Sequence, residues 1–151
     1  MRTVFKAGIK TGAVALGLMV AATTLASAEE PVTIDIRTTE AFGEHLTADA
    51  ERSVYLFTAD RENESTCYDA CALAWPPVLT EGEPVAGEGV DADKLGTTER
   101  KDGAIQVTYG GSPLYYFIQD AAAGDATGHQ NLGFGGGWHL VGSDGEKIET
   151  Q

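Results

Sequence analysis

Tyr55-Leu-Phe-Thr-Ala-Asp60 and Tyr115-Tyr-Phe-Ile-Gln-Asp120 carry Tyr, Phe and Asp at one spacing, sixty residues apart. In a strand, residues two apart share a face. Each copy therefore offers an aromatic pair, Tyr55 with Phe57 and Tyr115 with Phe117, and its Asp falls just past the strand end. Trp75 and Trp138 follow 15 and 18 residues after Asp60 and Asp120. The pattern points to a duplicated supersecondary unit, with halves over about 46–80 and 104–143 that pack face to face.

Working outward, Val54-Tyr-Leu-Phe-Thr58 is apolar on both faces and bounded by charges, which reads as a buried strand. Leu114-Tyr-Tyr-Phe-Ile118 reads the same way. Val32-Thr-Ile-Asp-Ile-Arg37 alternates as a strand does. Thr66–Leu73 is expected to form two helical turns, stopped by Trp75-Pro76-Pro77 because proline disfavours a helical residue before it. Residues 80–90 form a loop by composition. Thr97–Arg100 and Ala104–Tyr109 flank the Asp102-Gly103 turn, since Asp-Gly tolerates the positive φ of tight hairpins. Residues 124–137 are expected to be a glycine-rich loop, and Trp138–Val141 with Glu146–Glu149 a last hairpin around Asp144-Gly145. The fold class is mostly β: a small duplicated β-meander or sandwich-like domain with one or two short helices.

Composition splits the chain. The first 28 residues hold three basic residues and no acid. The remaining 123 hold 7 Lys+Arg against 23 Asp+Glu, so their net charge is 7 − 23 = −16, against −13 overall. So acidic a chain has no basic stripe to neutralise phosphates, which excludes nucleic acid as a partner. Arg2, Lys6 and Lys10, the apolar run Ala13–Ala22 and Ala26-Ser27-Ala28 have the form of a secretory signal peptide cut after Ala28. The run is short of the ~20 residues that span a bilayer, so no transmembrane span is expected in residues 29–151, read as one secreted domain.

Cys67 and Cys71 are the only cysteines. An exported chain meets an oxidising compartment, and residues four apart on a helical turn lie within disulfide reach. A structural disulfide is the first reading; redox-active or metal-binding thiols are the alternatives.

The twin motif Tyr-x-(Phe/Trp/Tyr)-x-x-Asp stands together with Ser65-Thr-Cys67-x-x-x-Cys71-Ala-x-Ala-Trp-Pro-Pro77, Leu95-Gly-Thr97, Gln106-Val-Thr-Tyr109, Pro113-Leu-Tyr-Tyr-Phe117 and Gly137-Trp138. On these residues, over roughly 44–145, the chain resembles a bacterial family of secreted repeats of unknown function, described as lipoproteins. The resemblance implies a bacterial envelope or extracellular address and supplies no catalytic residues. The chain departs from the lipoprotein pattern, because no cysteine stands directly after the apolar run.

Two readings of Asp60 and Asp120 stay open. Each can tie the loop after its strand through nearby backbone N–H groups. Alternatively, the two can converge as a paired-carboxylate or ligand site, which does acid–base work only if their pKa values are pushed apart. His129 and His139, with Asp125, are the candidate metal ligands, although no two histidines have close ligand spacing. No cofactor is assigned. The expectation is a non-catalytic, periplasmic or secreted β module, monomeric, acting on an envelope or extracellular ligand. The alternative is a periplasmic metal-handling or redox-associated protein.

Overall fold

The computed structural model of the chain describes residues 30–149, together with three isolated glycines before them, Gly8, Gly12 and Gly17. Apart from those glycines, the expected leader lies outside the described residues. In chain order the elements are β1 (Thr33–Thr39), β2 (Gly43–Ala48), β3 (Arg52–Ser53), β4 (Tyr55–Phe57), α1 (Ala70–Ala74) and β5 (Val85–Ala86). There follow β6 (Leu95–Glu99), β7 (Ile105–Tyr109), β8 (Ser112–Pro113), β9 (Asn131–Gly133) and β10 (Gly136–Leu140). The protein is mostly β, in three small sheets ordered β3-β2-β1-β5, β4-β10-β9 and β6-β7-β8, with one short helix.

The halves are built alike. β1 and β2 pair antiparallel from Ile34↔Ala48 to Thr39↔Gly43, and β3 adds through Thr47↔Ser53. β6 and β7 pair from Leu95↔Tyr109 to Glu99↔Ile105, and β8 adds through Thr108↔Pro113. The turns that close them differ. Gly110 and Gly111 take φ of 58° and 82°, where glycine meets no steric penalty. Asp49, Ala50 and Glu51 take φ of 34°, 58° and 64° without a glycine, a strained run. It is held from outside: Asp49 accepts the Tyr116 hydroxyl at 2.7 Å and Glu51 binds Arg37 at 2.9 Å.

What joins the halves is an exchange of backbone. The Tyr55 N–H donates to the Tyr115 carbonyl at 2.8 Å, and the Tyr115 N–H to the Tyr55 carbonyl at 2.9 Å. Around that reciprocal pair, the end of each half lies on the other half. Leu46 donates to the Val141 carbonyl, and Val107 to the Val78 carbonyl, both at 2.8 Å. Thr58 donates to Gly137 at 2.9 Å, and Ile118 to Ala74 at 3.0 Å. Trp138 of β10 stands opposite Phe57 of β4 for the same reason.

Several expected elements take another form. Leu114–Ile118 is not a laddered strand: Tyr115 makes single bridges to Tyr55 and Pro77. Its neighbour segment contains Pro76 and Pro77, which have no N–H to give a ladder. The helix covers only Ala70–Ala74. The glycine-rich stretch 124–137 holds β9 and the start of β10, paired through Leu132↔Gly137. β2 was not foreseen, since Gly43–Ala48 has no apolar alternation, and neither was β5 within 80–90.

The central strands bury both faces. Val54, Leu56, Leu114 and Tyr116 join an aliphatic cluster with Ile34, Leu46, Val78, Val107 and Val141. Tyr55, Phe57, Tyr115 and Phe117 face the opposite way, into an aromatic cluster with Trp75, Trp138 and both cysteines. There four rings stack in a row. Phe57 and Trp138 lie 4.1 Å apart, Trp138 and Trp75 4.0 Å apart with planes 3° from parallel, and Trp75 and Phe117 4.1 Å apart. Tyr55 meets Trp75 edge-on at 5.3 Å, and Tyr115 meets Trp138 edge-on at 5.2 Å. Offset-stacked and edge-to-face rings gain roughly 0.5–1.5 kcal/mol per pair beyond area burial.

Gly128 closes the row from above: a Cβ there would stand 2.6 Å from the Trp75 ring and 3.0 Å from Phe117. Overfilling a packed core typically costs about 1–3 kcal/mol. Gly128→Ala is expected to lower stability by that amount in urea denaturation. An unchanged midpoint would show the stack can shift at no cost.

Candidate functional site

The two motif aspartates do not face each other. Asp60 Oδ1 accepts the Thr66 N–H at 2.7 Å and the Thr66 hydroxyl at 2.8 Å. Asp120 Oδ1 accepts the Thr127 N–H at 2.9 Å and the Thr127 hydroxyl at 2.6 Å. Each carboxylate thus ties the loop that follows its own strand. The second oxygen of each reaches across: Asp60 Oδ2 accepts the Tyr115 hydroxyl and Asp120 Oδ2 the Tyr55 hydroxyl, both at 2.6 Å. The site is a pair of crossed locks. Each half supplies the Tyr for one and the Asp for the other, and the two carboxylates share no partner.

Electrostatics follow from burial. Burial is the largest cause pushing the Tyr55 and Tyr115 phenols far above their ordinary range, and Asp120 and Asp60 push the same way. Burial likewise raises Asp60, against hydrogen bonds from Tyr115 and Thr66. Tyr116, buried and donating to Asp49, is raised too.

The Tyr115 lock continues into a buried polar chain. Its hydroxyl lies 2.6 Å from Ser65 Oγ, which accepts Arg100 Nη1 at 2.9 Å. Arg100 also donates to Gln106 Oε1 at 2.8 Å and to the Cys67 carbonyl at 2.7 Å, and it covers the Tyr68 ring at 4.3 Å. Its side chain is 2% exposed, Asp102 stands 3.8 Å from Nε, and the guanidinium's charge also reaches Asp60. Neutral acceptors hold a buried cation here, a role that a strand-end Arg does not announce in sequence. Cys67 and Cys71 form a disulfide with Cα atoms 5.2 Å apart, inside the aromatic cluster.

The three histidines, His45 from the first half and His129 and His139 from the second, gather around Phe42. Phe42 meets His45 edge-on at 6.4 Å and His129 at 5.0 Å, and His129 lies 5.9 Å from His139. His129 Nδ1 accepts the Leu140 N–H at 3.1 Å. His45 is fully buried, and burial lowers its pKa; burial, then Lys147 and His129, lower that of His139. Asp125 is elsewhere engaged, its Oδ2 accepting the Ala121 and Ala122 N–H groups at 2.9 Å. Among the described residues, no group of three or more His, Cys, Asp and Glu is placed to hold a metal ion.

Fold and site together define a duplicated β module with exchanged ends, in which the repeated motif locks one half to the other. The model of a family described as a secreted repeat of unknown function matches twice, over residues 37–79 and 96–142, more than half of the chain. The chain belongs to that family. No curated protein and no solved structure matches it. Among the described residues, no helix is long and apolar enough to cross a membrane.

The locks set two expectations. Tyr115→Phe leaves a part-buried carboxylate oxygen of Asp60 without its donor, and Tyr55→Phe does the same to Asp120; each should cost about 1–3 kcal/mol in denaturation. Phenols raised in the folded state contribute stability that is full below the unfolded value of about 10 and lost as pH rises beyond it. An alkaline titration should therefore show tyrosinate absorbance from Tyr55, Tyr115 and Tyr116 rising together with loss of near-ultraviolet dichroism. Ionisation of these three with the fold intact would contradict the locks.

Proposed function

We propose that this is a non-catalytic module, exported after removal of residues 1–28, that works by presenting surface to an envelope or extracellular partner. The observation that carries this reading is the use of the motif. Every oxygen of Asp60 and Asp120 is spent on Thr66, Thr127, Tyr55 and Tyr115, and the rings between them are packed against one another. That the repeated residues are engaged in holding the fold supports a role outside substrate turnover.

Surface remains for recognition. The β9–β10 hairpin presents Leu132 at 83% exposure and Phe134 at 52%, two exposed apolar side chains two residues apart; Leu73 and Ile118 are exposed as well. Exposed apolar side chains on a hairpin tip are typical contact points. It stands in the second half where the first carries α1 and its disulfide, so the repeat's own architecture does not require it.

The test is expression of the full chain in a bacterial host, with Leu132→Ser and Phe134→Ser combined. The wild type should have the mass of a chain starting at Glu29 and should co-sediment with the envelope. The double variant should keep its near-ultraviolet dichroism and leave the envelope fraction. Equal retention of both proteins would count against the hairpin, and an enzymatic turnover in the purified protein against the reading itself.

A further inference from the structure

From Asp60 to Asp120 the crossed locks and the ring stack form one unbroken series: acid, tyrosine, tryptophan, tryptophan, tyrosine, acid. The contacts are 2.6 Å from Asp60 to the Tyr115 hydroxyl, then 5.2 Å to the Trp138 ring and 4.0 Å to the Trp75 ring. They continue 5.3 Å to the Tyr55 ring and 2.6 Å to Asp120. All four rings are at most 2% exposed. We propose that this series is a one-electron relay that takes oxidising equivalents from an oxygen- or sulfur-centred radical oxidant and holds them as a neutral tyrosyl radical.

The chemistry needs a ring that yields an electron, a second ring to share the vacancy, and a base for the phenolic proton. The oxidant removes one electron from Trp75 or Trp138 and is itself reduced, leaving an indole radical cation. Their near-parallel contact lets the other indole donate an electron to it, so the vacancy reaches either tyrosine. Tyr55 then gives its electron to Trp75 and its phenolic proton to Asp120 Oδ2. The phenol O–H bond breaks, a carboxyl O–H bond forms, and the indole is neutral again. Tyr115 and Asp60 do the same on the other side.

A phenol that loses an electron becomes a strong acid, so a carboxylate already at hydrogen-bond distance removes the barrier of finding a base. Both acids are only partly covered, whereas the rings are enclosed. The radical is thus kept from other molecules while its proton stays near water. Burial, which raises both phenols, keeps them protonated until the electron leaves. The relay is stoichiometric, and it does not depend on any partner at the β9–β10 hairpin.

The test uses the exported chain with its disulfide intact, oxidised by flash-quenched tris(bipyridine)ruthenium, a cation that the acidic surface attracts. Transient absorption should show an indolyl radical that decays as a tyrosyl radical grows, with a slower transfer in deuterated water. Electron paramagnetic resonance of frozen samples should show the neutral tyrosyl signal. Tyr55→Phe and Tyr115→Phe should each keep the full tyrosyl yield, because the stacked indoles lead to the remaining phenol. The double variant should lose it and retain a long-lived indolyl radical. Halved yields in the single variants would overturn the shared relay. An unchanged tyrosyl signal in the double variant, or indolyl decay without tyrosyl growth in the wild type, would overturn the proposal outright. If the double variant fails to fold, Asp60→Asn with Asp120→Asn keeps the rings and removes the bases; loss of the isotope effect supports the relay and its persistence refutes it.

Discussion

A buried phenol must find an acceptor, and here the acceptor comes from the other half of the molecule. Tyr55 and Tyr115 are fully buried, each donating at 2.6 Å to the aspartate that ends the opposite motif. An unmet hydroxyl in such surroundings costs about 1–3 kcal/mol, so the two halves gain most when both crossings form together. The remaining architecture follows from that condition. The strands must meet at Tyr55 and Tyr115, the tryptophans must enter from the ends of the opposite halves, and glycine must stand at 128 where a Cβ would strike the indole.

The repeat was legible in the sequence because its spacing is rigid. Tyr and Phe two apart, with Asp three further on, describe an extended segment and the turn that leaves it; Tyr55–Phe57 forms the expected strand, whereas the second copy is held by single bridges at Tyr115. The loop-tying use of each Asp is also local: Thr66 and Thr127 lie six and seven residues on. The crossing was not legible. Nothing in either hexamer says which tyrosine meets which aspartate, since that depends on the reciprocal backbone pair at the centre. β2 was missed because Gly-Glu-His-Leu-Thr-Ala carries no alternation, and its burial comes from the Val141 end of the other half. Of the metal candidates, His129 and His139 come within 5.9 Å of each other, while Asp125 turns to the N–H groups of its own loop.

The halves have kept their backbone and diverged in their polar interiors. His45 and Gln106 occupy matching register positions, opposite Arg37 and Thr98. Around Gln106 lies a buried guanidinium held by neutral oxygens; around His45 lies a histidine and phenylalanine cluster. The segment after one Asp is a helix pinned by a disulfide, and after the other it is a glycine-rich hairpin with exposed Leu132 and Phe134. One half carries the covalent restraint, and both display apolar side chains, Leu73 on the helix and Leu132 with Phe134 on the hairpin.

The exchanged ends have an arithmetic consequence. A single repeat has a hairpin with no strand to lie on it, a phenol with no acceptor and half of a ring stack. Completeness comes only in pairs. Arrays of this unit are therefore expected with even numbers of copies, and an odd copy must be completed by a second chain. The same geometry makes the two halves, expressed as separate polypeptides, complementary fragments whose association is folding itself.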